Sequence, residues 1–233
     1  MKYIQVKENS EEHSYSIEAE YPQFSSNDPK SEEQLNNRIA TFITTVIDDF
    51  RSAAIAHSPD KSRQKQELSP ASWDSISVAH KISLLSPEYL SIEFVFQTYG
   101  AGAAHPNSVT RTLNFKLRPL REIELRDLFN PVSDYLQVLS EYCINELHTL
   151  QPHRWYNPVE RAEELKARKD DWICQGAAPL EKNFERFVLV NEGITIFFDP
   201  YQVGSYAEGR YEVFVPFQNL KPFLSDQIER ALP

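Results

Sequence analysis

Glycine, methionine and long apolar segments are scarce in this chain. Its 233 residues include 6 glycines and one methionine, which argues against a glycine-rich cofactor loop and against a methionine-lined binding groove. The longest apolar runs fall far short of the ~18 residues that cross a bilayer as a helix. The sequence therefore predicts neither a transmembrane helix nor a bound cofactor.

Cysteine is scarce too, with only Cys143 and Cys174 in the chain. Neither stands in a Cys-x-x-Cys pattern or at a Cys/His spacing typical of zinc, so no metal site is predicted. In an oxidising compartment the two thiols could form one disulfide, which would contribute about 3–4 kcal/mol. In the cytoplasm they would be small core residues. The sequence leaves both alternatives open.

Acidic side chains outnumber basic ones. The chain has 34 Asp and Glu against 24 Lys and Arg, a formal net charge of −10. Such a surface repels nucleic acid and anionic lipid, and it attracts a basic partner. We therefore expect no nucleic-acid partner, and a basic protein is the partner that the charge favours.

Alternating and helical periodicities together predict an α+β fold with a largely antiparallel sheet. Predicted strands cover 2–7, 13–21, 76–84, 90–96, 109–117, 187–190, 194–198 and 211–215. A helix is predicted from residue 32, with Ser31 and Gln34 as its capping box. Further helices are predicted after Asn130-Pro131, after Asn157-Pro158 and within 217–230. The polar stretch 57–74 is predicted to be an exposed connector.

The segment from Tyr99 to Pro106 reads Tyr-Gly-Ala-Gly-Ala-Ala-His-Pro and lies between two predicted strands. Gly100 and Gly102 allow positive φ angles and a close approach of a ligand to the backbone. His105 could hydrogen-bond the backbone of a tight turn, contact a partner or transfer a proton. The structural interpretation is favoured, and no second histidine stands at a spacing that would complete a metal site.

Tyrosines and carboxylates cluster in the last third of the chain, where Tyr201, Tyr206 and Tyr211 alternate with Asp199 and Glu208. Tyrosines suit protein interfaces because they bring broad contact area at a small entropic cost. They also suit a packed corner whose hydroxyl groups satisfy a bend between strands, and this second interpretation is favoured. The two acidic residues are weak candidates for a glycosidase pair, since sequence spacing does not give their separation. No other catalytic motif, such as GxSxG, a P-loop or HExxH, is present.

Three segments resemble the C-terminal domain of the RsiV-like, lysozyme-sensing anti-sigma factors: Gly102 to Pro106, Leu125 to Phe129, and Phe198 to Pro216. The strand pair and helix before them resemble the N-terminal unit of PdaC-like deacetylases. This resemblance implies a PdaC-like unit over 1–56, a connector over 57–75 and an RsiV-like domain over 76–233. The binding residues that it suggests are Tyr99, Gly100, Gly102, His105, Asp199, Tyr201, Tyr206, Glu208 and Tyr211.

The function that the resemblance implies is a non-catalytic binding protein of the bacterial envelope. Its expected partner is a lysozyme-like muramidase or another cell-wall component. An enzyme acting on cell-wall glycan and an accessory domain without a ligand are the alternatives. The N-terminal residues alternate like a strand and are not a signal peptide. We therefore expect either a periplasmic or extracellular protein whose export signal Met1 replaces, or a cytoplasmic one.

Overall fold

The computed structural model describes residues 1–57, 73–151, 172–226 and 228. Its contacts define two compact units: the first comprises 1–81 and 94–111, the second 82–93 and 112–233. Three long strands contribute residues to both units, and the predicted bounds 1–56, 57–75 and 76–233 stay a prediction. Most of the predicted connector and the helix predicted after Asn157-Pro158 lie outside the described residues.

The first unit begins with a hairpin. Strands β1 (Lys2–Ser10) and β2 (Tyr15–Gln23) pair antiparallel, from Lys2 opposite Gln23 to Ser10 opposite Tyr15. Tyr15, Ile17 and Ala19 are buried on one face of β2, as their alternation predicts. The next strand, β3 (Asp74–Leu85), pairs parallel to β2. Parallel neighbours need a long crossover, and helix α1 (Pro29–His57) lies between them in the chain.

Helix α1 begins at Pro29, earlier than its apolar periodicity predicts. The Asp28 carboxylate accepts hydrogen bonds from the Lys30 amide at 3.2 Å and from the Ser31 hydroxyl. The predicted capping box is therefore wrong: Asp28 caps the helix and proline occupies the first helical position. The fully buried face of the helix consists of Leu35, Ile39, Ile43, Ile47 and Ala54.

Strands β4 (Tyr89–Tyr99), β5 (Asn107–Leu117) and β6 (Leu120–Glu122) extend the sheet, whose six strands lie in chain order. The predicted strands 76–84 and 90–96 are confirmed as parts of β3 and β4. A short hairpin joins them, and the Ser86 amide closes it by donating to the Tyr89 carbonyl at 2.8 Å. The α+β class with an antiparallel-dominated sheet is confirmed as well.

The second unit contains a separate sheet of three antiparallel strands, β7 (Phe187–Val190), β8 (Gly193–Phe198) and β9 (Tyr211–Pro216). Its helices are α2 (Tyr135–Leu150), α3 (Trp172–Gly176) and α4 (Phe217–Leu220). Residues from these helices and from the three-stranded sheet share one apolar core, which includes Leu139, Leu147, Ile196, Phe198 and Val213.

Helix α2 starts at Tyr135 rather than directly after Asn130-Pro131. The Asn130 side-chain oxygen accepts a hydrogen bond from the Val132 amide at 3.2 Å, and its carbonyl accepts one from the Ser133 amide at 2.9 Å. Asn130 therefore closes a turn before the helix. The same side-chain acceptor can serve either arrangement, so the dipeptide does not distinguish a cap from a turn.

The two cysteines are not joined by a disulfide. Cys143 is fully buried on α2, whereas Cys174 is exposed on α3. The Cys143 side chain packs into the apolar core, and both cysteines are free thiols in this structure. Within the described ranges, no helix is long and apolar enough to cross a membrane.

Candidate functional site

The chain between β8 and β9 folds into a compact corner, residues 199–211, which we call the tyrosine corner. The Gln202 amide donates to the Asp199 carbonyl at 3.0 Å, and the Tyr201 amide donates to the Gly204 carbonyl at 3.1 Å. These bonds bring the backbone around so sharply that Tyr201 takes a positive φ of 73°. A bulky residue with a positive φ is uncommon and needs surrounding contacts to hold it.

Glu208 is the central acceptor of the tyrosine corner, with a relative exposure of 9%. One carboxylate oxygen accepts hydrogen bonds from the Tyr211 hydroxyl and from the Gln151 amide, each at 2.7 Å. The other oxygen accepts from the backbone amide and the hydroxyl of Ser205, each at 2.8 Å. Burial raises the pKa of Glu208, but these donors outweigh burial and hold the pKa below its usual value. The carboxylate is therefore charged at neutral pH and organises the loop.

Gly204 lets the backbone pass directly beside this carboxylate. A Cβ atom at position 204 would lie only 2.9 Å from Glu208 Oε2. Gly209, with a φ of 69°, ends the short 3-10 turn Tyr206–Glu208. The two glycines therefore have separate roles, one in close packing and one in turning the chain into β9.

Two tyrosine rings form the outer surface of the corner. Tyr201 has a relative exposure of 57%, and Tyr206 is half-buried behind it. Their ring centroids are 5.8 Å apart and the planes are tilted by 34°. Tyr211, by contrast, is buried and only 1% exposed. The predicted cluster thus separates into an exposed aromatic pair and a buried tyrosine that holds Glu208.

Charged side chains next to the corner are engaged in ion pairs. Arg186 Nε lies 3.1 Å from Asp199 Oδ2. Arg210 contacts both Glu93 and Glu212, and its guanidinium carbon lies 4.7 Å from the centre of the Phe197 ring. The contacts that the structure shows for Asp199 and Glu208 are internal to the fold: an ion pair with Arg186 for the first and four hydrogen bonds for the second.

The glycine loop after β4 is held by one side chain. The Ala101 amide donates to Asp74 Oδ1 at 2.6 Å, and the Ala103 amide donates to the Gly100 carbonyl at 2.9 Å. Gly102 has the predicted positive φ, at 83°. His105 is exposed, and its Nδ1 lies 3.2 Å from the Pro106 carbonyl. The contact with backbone matches the structural interpretation of this histidine.

The predicted binding residues fall into two groups. Asp199, Tyr201, Tyr206, Glu208 and Tyr211 come together in the tyrosine corner of the second unit. Tyr99, Gly100, Gly102 and His105 belong to the first unit. Among the described residues, no group of three or more His, Cys, Asp or Glu side chains is placed to hold a metal ion.

The sequence analysis does not single out two residues that hydrogen-bond Glu208, Ser205 and Gln151. Ser205 and Glu208 form the Ser-x-x-Glu pattern of a capping box, and the structure shows both of its hydrogen bonds. That signal is readable from the sequence. Gln151 has no such signal, because it lies 57 residues from the carboxylate that it contacts.

Comparison with known proteins supports a two-part architecture. Residues 8–108 match the family described as deacetylase PdaC, and residues 126–218 match a family of unknown function, DUF3298. The predicted PdaC-like first part is thereby confirmed, although the match extends well beyond residue 56. The likeness to RsiV-like proteins stays a prediction.

A curated relative and two crystal structures illustrate the similarity of the chain to known proteins. The peptidoglycan-N-acetylmuramic acid deacetylase PdaC of Bacillus subtilis (strain 168) is 24% identical over 200 residues, which are 85% of this chain and 38% of that protein. The chain thus spans less than two fifths of this relative. A DUF3298 family member from Bacteroides fragilis NCTC 9343 has a TM-score of 0.67 at 20% identity, covering 97% of this chain and 93% of its own. Another family member, from Pseudomonas aeruginosa PAO1, has a TM-score of 0.65 at 12% identity, and the match covers 97% of this chain and 95% of that one. These structures establish the shared fold.

Proposed function

We propose that the chain is a non-catalytic binding module of the bacterial cell envelope that recognises a cell-wall component through its tyrosine corner. The observation that carries the proposal is the exposed Tyr201 ring, which stands beside Tyr206 on a loop fixed by Glu208. The cell-wall assignment is supported by the Bacillus subtilis relative, a peptidoglycan-N-acetylmuramic acid deacetylase. A periplasmic or extracellular location follows from the same proposal.

A fixed aromatic surface suits glycan recognition for physical reasons. The faces of sugar rings carry C–H groups that pack against an aromatic ring, and the tyrosine hydroxyl groups add hydrogen bonds. Because the positive φ of Tyr201 and the Glu208 hydrogen bonds already order the loop, binding would cost little further conformational entropy. Both features favour a preformed contact surface.

A lysozyme-like muramidase is the second candidate partner. The net charge of −10 favours a basic protein over an acidic glycan. Exposed tyrosines also serve protein interfaces. Under this alternative the same corner contacts the enzyme instead of its substrate, and the module acts as a sensor or inhibitor.

Catalysis on cell-wall glycan is the alternative outside the binding class, since the curated relative is a deacetylase. Its support within this chain is His105, whose ring is exposed on the glycine loop. If His105 transfers a proton, His105→Ala will abolish the release of acetate or reducing ends from purified peptidoglycan while the far-ultraviolet circular dichroism stays unchanged. Turnover that survives this substitution would remove His105 from any mechanism.

The proposal is tested by sedimenting the chain with purified peptidoglycan sacculi, and by titrating it with a c-type lysozyme in a calorimeter. Both measurements are made at about 0.15 M and about 0.3 M salt, because exposed charge pairs weaken as the screening length shortens. We expect sedimentation with sacculi at both concentrations. Salt-tolerant binding to lysozyme alone would select the second candidate.

Two variants locate the contact. Tyr201→Ala removes the exposed ring of the corner, and we expect it to abolish sedimentation. Tyr3→Ala removes a ring of similar exposure, 51% against 57%, from the first unit, and it should bind as the unaltered chain does. If neither partner binds, or if the two variants behave alike, the corner is not a binding surface and the accessory domain without a ligand is the better description.

A further inference from the structure

The first unit contains a groove of about 720 Å³ that plays no part in the proposed function. One wall is a single face of helix α1, where the lining residues from Val46 to His57 follow the i, i+3, i+4 spacing. The other wall comes from the β1–β2 turn, the first residues of β3 and the glycine loop after β4. The helix face covers three turns, a length of about 16 Å.

Part of the groove lining, which we call its floor, is apolar. Val46, Phe50 and Ala53 line it from the helix, and Ile76 lines it from β3. Such an elongated apolar floor matches an extended chain, because about five residues at ~3.3 Å each cover the same length. A compact ligand would contact only part of it.

The polar part of the lining, which we call its rim, carries negative charge. Asp49 and Asp74 line the groove, and the exposed residues Glu11 and Glu12 precede its lining residue His13. The described lining includes neither lysine nor arginine. Arg51 on the same helix is engaged by Glu8 and Asp48. A ligand segment carrying a cationic side chain therefore meets the complementary charge.

Hydrogen-bonding groups also face the occupant. His57 Nδ1 lies 2.7 Å from the Ala53 carbonyl. Since a carbonyl only accepts, this nitrogen carries the proton and Nε2 of the neutral ring is an acceptor. Asp74 accepts the Ala101 amide with one oxygen and has further lone pairs on its carboxylate. Both residues can accept from a peptide N–H or an ammonium group.

We propose that this groove binds an extended peptide segment of a partner protein, in which lysine or arginine alternates with bulky apolar side chains. Alternation places the apolar side chains on the floor and the cationic ones at the carboxylate rim. This interaction is separate from the tyrosine corner and does not depend on cell-wall recognition.

Fluorescence anisotropy of two labelled peptides tests the proposal with the full chain. The probes are Leu-Lys-Leu-Lys-Leu and its charge-reversed partner Leu-Glu-Leu-Glu-Leu. We expect saturable binding of the lysine peptide and none of the glutamate peptide. Equal binding of both probes, or binding of neither, would overturn the proposal.

Three substitutions on helix α1 then place the peptide. Ala53→Trp projects an indole into the groove from an exposed position and should abolish binding. Asp49→Asn should weaken binding about twofold to fivefold, the effect of one exposed ion pair. Glu33→Gln removes the same charge from an exposed position outside the groove and should have no effect.

Two controls check that each variant folds and that peptide binding does not depend on the tyrosine corner. Circular dichroism checks that each variant is folded. If Ala53→Trp fails to fold, peptide binding by Asp49→Asn tests the groove instead. Lysine-peptide binding that survives Ala53→Trp in a folded chain, or that responds equally to Asp49→Asn and Glu33→Gln, would refute the groove. Tyr201→Ala should leave peptide binding unchanged, so failure here is distinguishable from failure of the cell-wall proposal.

Discussion

The Tyr211 hydroxyl donates a 2.7 Å hydrogen bond to the carboxylate of Glu208, three positions earlier in the chain. The first residue of β9 thereby fixes the loop that precedes it. Gln151 donates to the same oxygen from the residue after helix α2. This single buried carboxylate joins the strand, the loop and the helix end of the second unit, so the geometry of the tyrosine corner depends on its charge and its acceptor capacity.

Glu208→Gln should destabilise the second unit while preserving the shape of the side chain. Glutamine has an amide nitrogen that cannot accept, so either the two donors on Oε1 or the two donors on Oε2 lose their partner. We expect a loss of about 2–3 kcal/mol in the free energy of unfolding, measured with urea. Glu192→Gln, at an exposed hairpin position, is the matched control. Equal stability of the two variants would contradict the anchoring role.

The pH dependence of stability should carry the same signature. The folded pKa of Glu208 is lowered from a reference of 4.5, so the unfolded state binds the proton first as the solution becomes more acidic. The contribution of this carboxylate is therefore fully present above pH 4.5 and is lost as the pH falls through the folded pKa. Each such group changes the slope by at most about 1.4 kcal/mol per pH unit.

Urea titrations between neutral pH and the acid limit measure this slope. In Glu208→Gln, the free energy of unfolding should fall less steeply as the pH decreases below the reference pKa. Glu8, whose pKa is also lowered, chiefly by its hydrogen bond with Arg51, should keep a residual slope in the variant. If Glu208→Gln leaves the slope in acidic solution unchanged, the carboxylate has the same proton affinity in the folded and unfolded chains.

Gly204→Ala should be costly, whereas Gly100→Ala should be nearly neutral. A Cβ at position 204 would lie 2.9–3.0 Å from the Glu208 carboxylate atoms, which hydrogen bonds hold in place. We expect a loss of about 1–3 kcal/mol in the free energy of unfolding. At position 100 a Cβ meets nothing within 4 Å, and the change should stay within about 0.5 kcal/mol. Similar effects of the two substitutions would contradict the crowding argument.

Local patterns predict most of the strands. The alternation of Tyr15, Ile17 and Ala19 marks the buried face of β2, because a strand presents every second residue to the core. The parallel pairing of β2 with β3 is not readable in the same way, since these strands are separated in the chain by helix α1. Pairing between distant strands depends on the whole sheet.

In the tyrosine corner, too, some features can be predicted from the sequence and others depend on tertiary contacts. The cluster of Tyr201, Tyr206 and Glu208 is evident in the sequence, and the favoured interpretation as a packed corner agrees with its hydrogen bonds. Which tyrosine is exposed depends on the backbone reversal at Tyr201. That conformation comes from tertiary contacts, and no residue preference signals it for a tyrosine.

Thiol chemistry separates the two cysteines. Burial raises the pKa of Cys143 far above its usual value, and the thiolate is the reactive form. Cys174 is exposed. In the folded chain, a disulfide-exchange reagent should therefore titrate one thiol quickly, and a second should appear only after unfolding. Cys174→Ser should remove the fast thiol, whereas Cys143→Ser should leave it. Absence of both thiols in the unfolded, unreduced chain would establish the disulfide that this structure lacks.

Position 114 should not tolerate a charged side chain, because Asn114 completes a buried hydrogen-bond network in the second unit. Its side-chain amide donates to the Phe187 carbonyl at 2.9 Å, and its oxygen accepts from Ser91. Ser91 in turn accepts the Leu189 amide at 2.8 Å, so the network joins β4 and β5 to β7. Asn114→Asp, which is nearly isosteric, replaces the donor with a carboxylate oxygen facing a carbonyl.

We expect Asn114→Asp to lower the free energy of unfolding by about 3 kcal/mol or more at neutral pH, because a buried charge then lacks its compensating donor. Protonation of the new carboxyl restores a donor, so part of the loss should be recovered in mildly acidic solution. Asn107→Asp at the exposed start of the same strand supplies the control. A loss that equals the control, or that does not respond to pH, would mean that the network adds nothing beyond the packing around it.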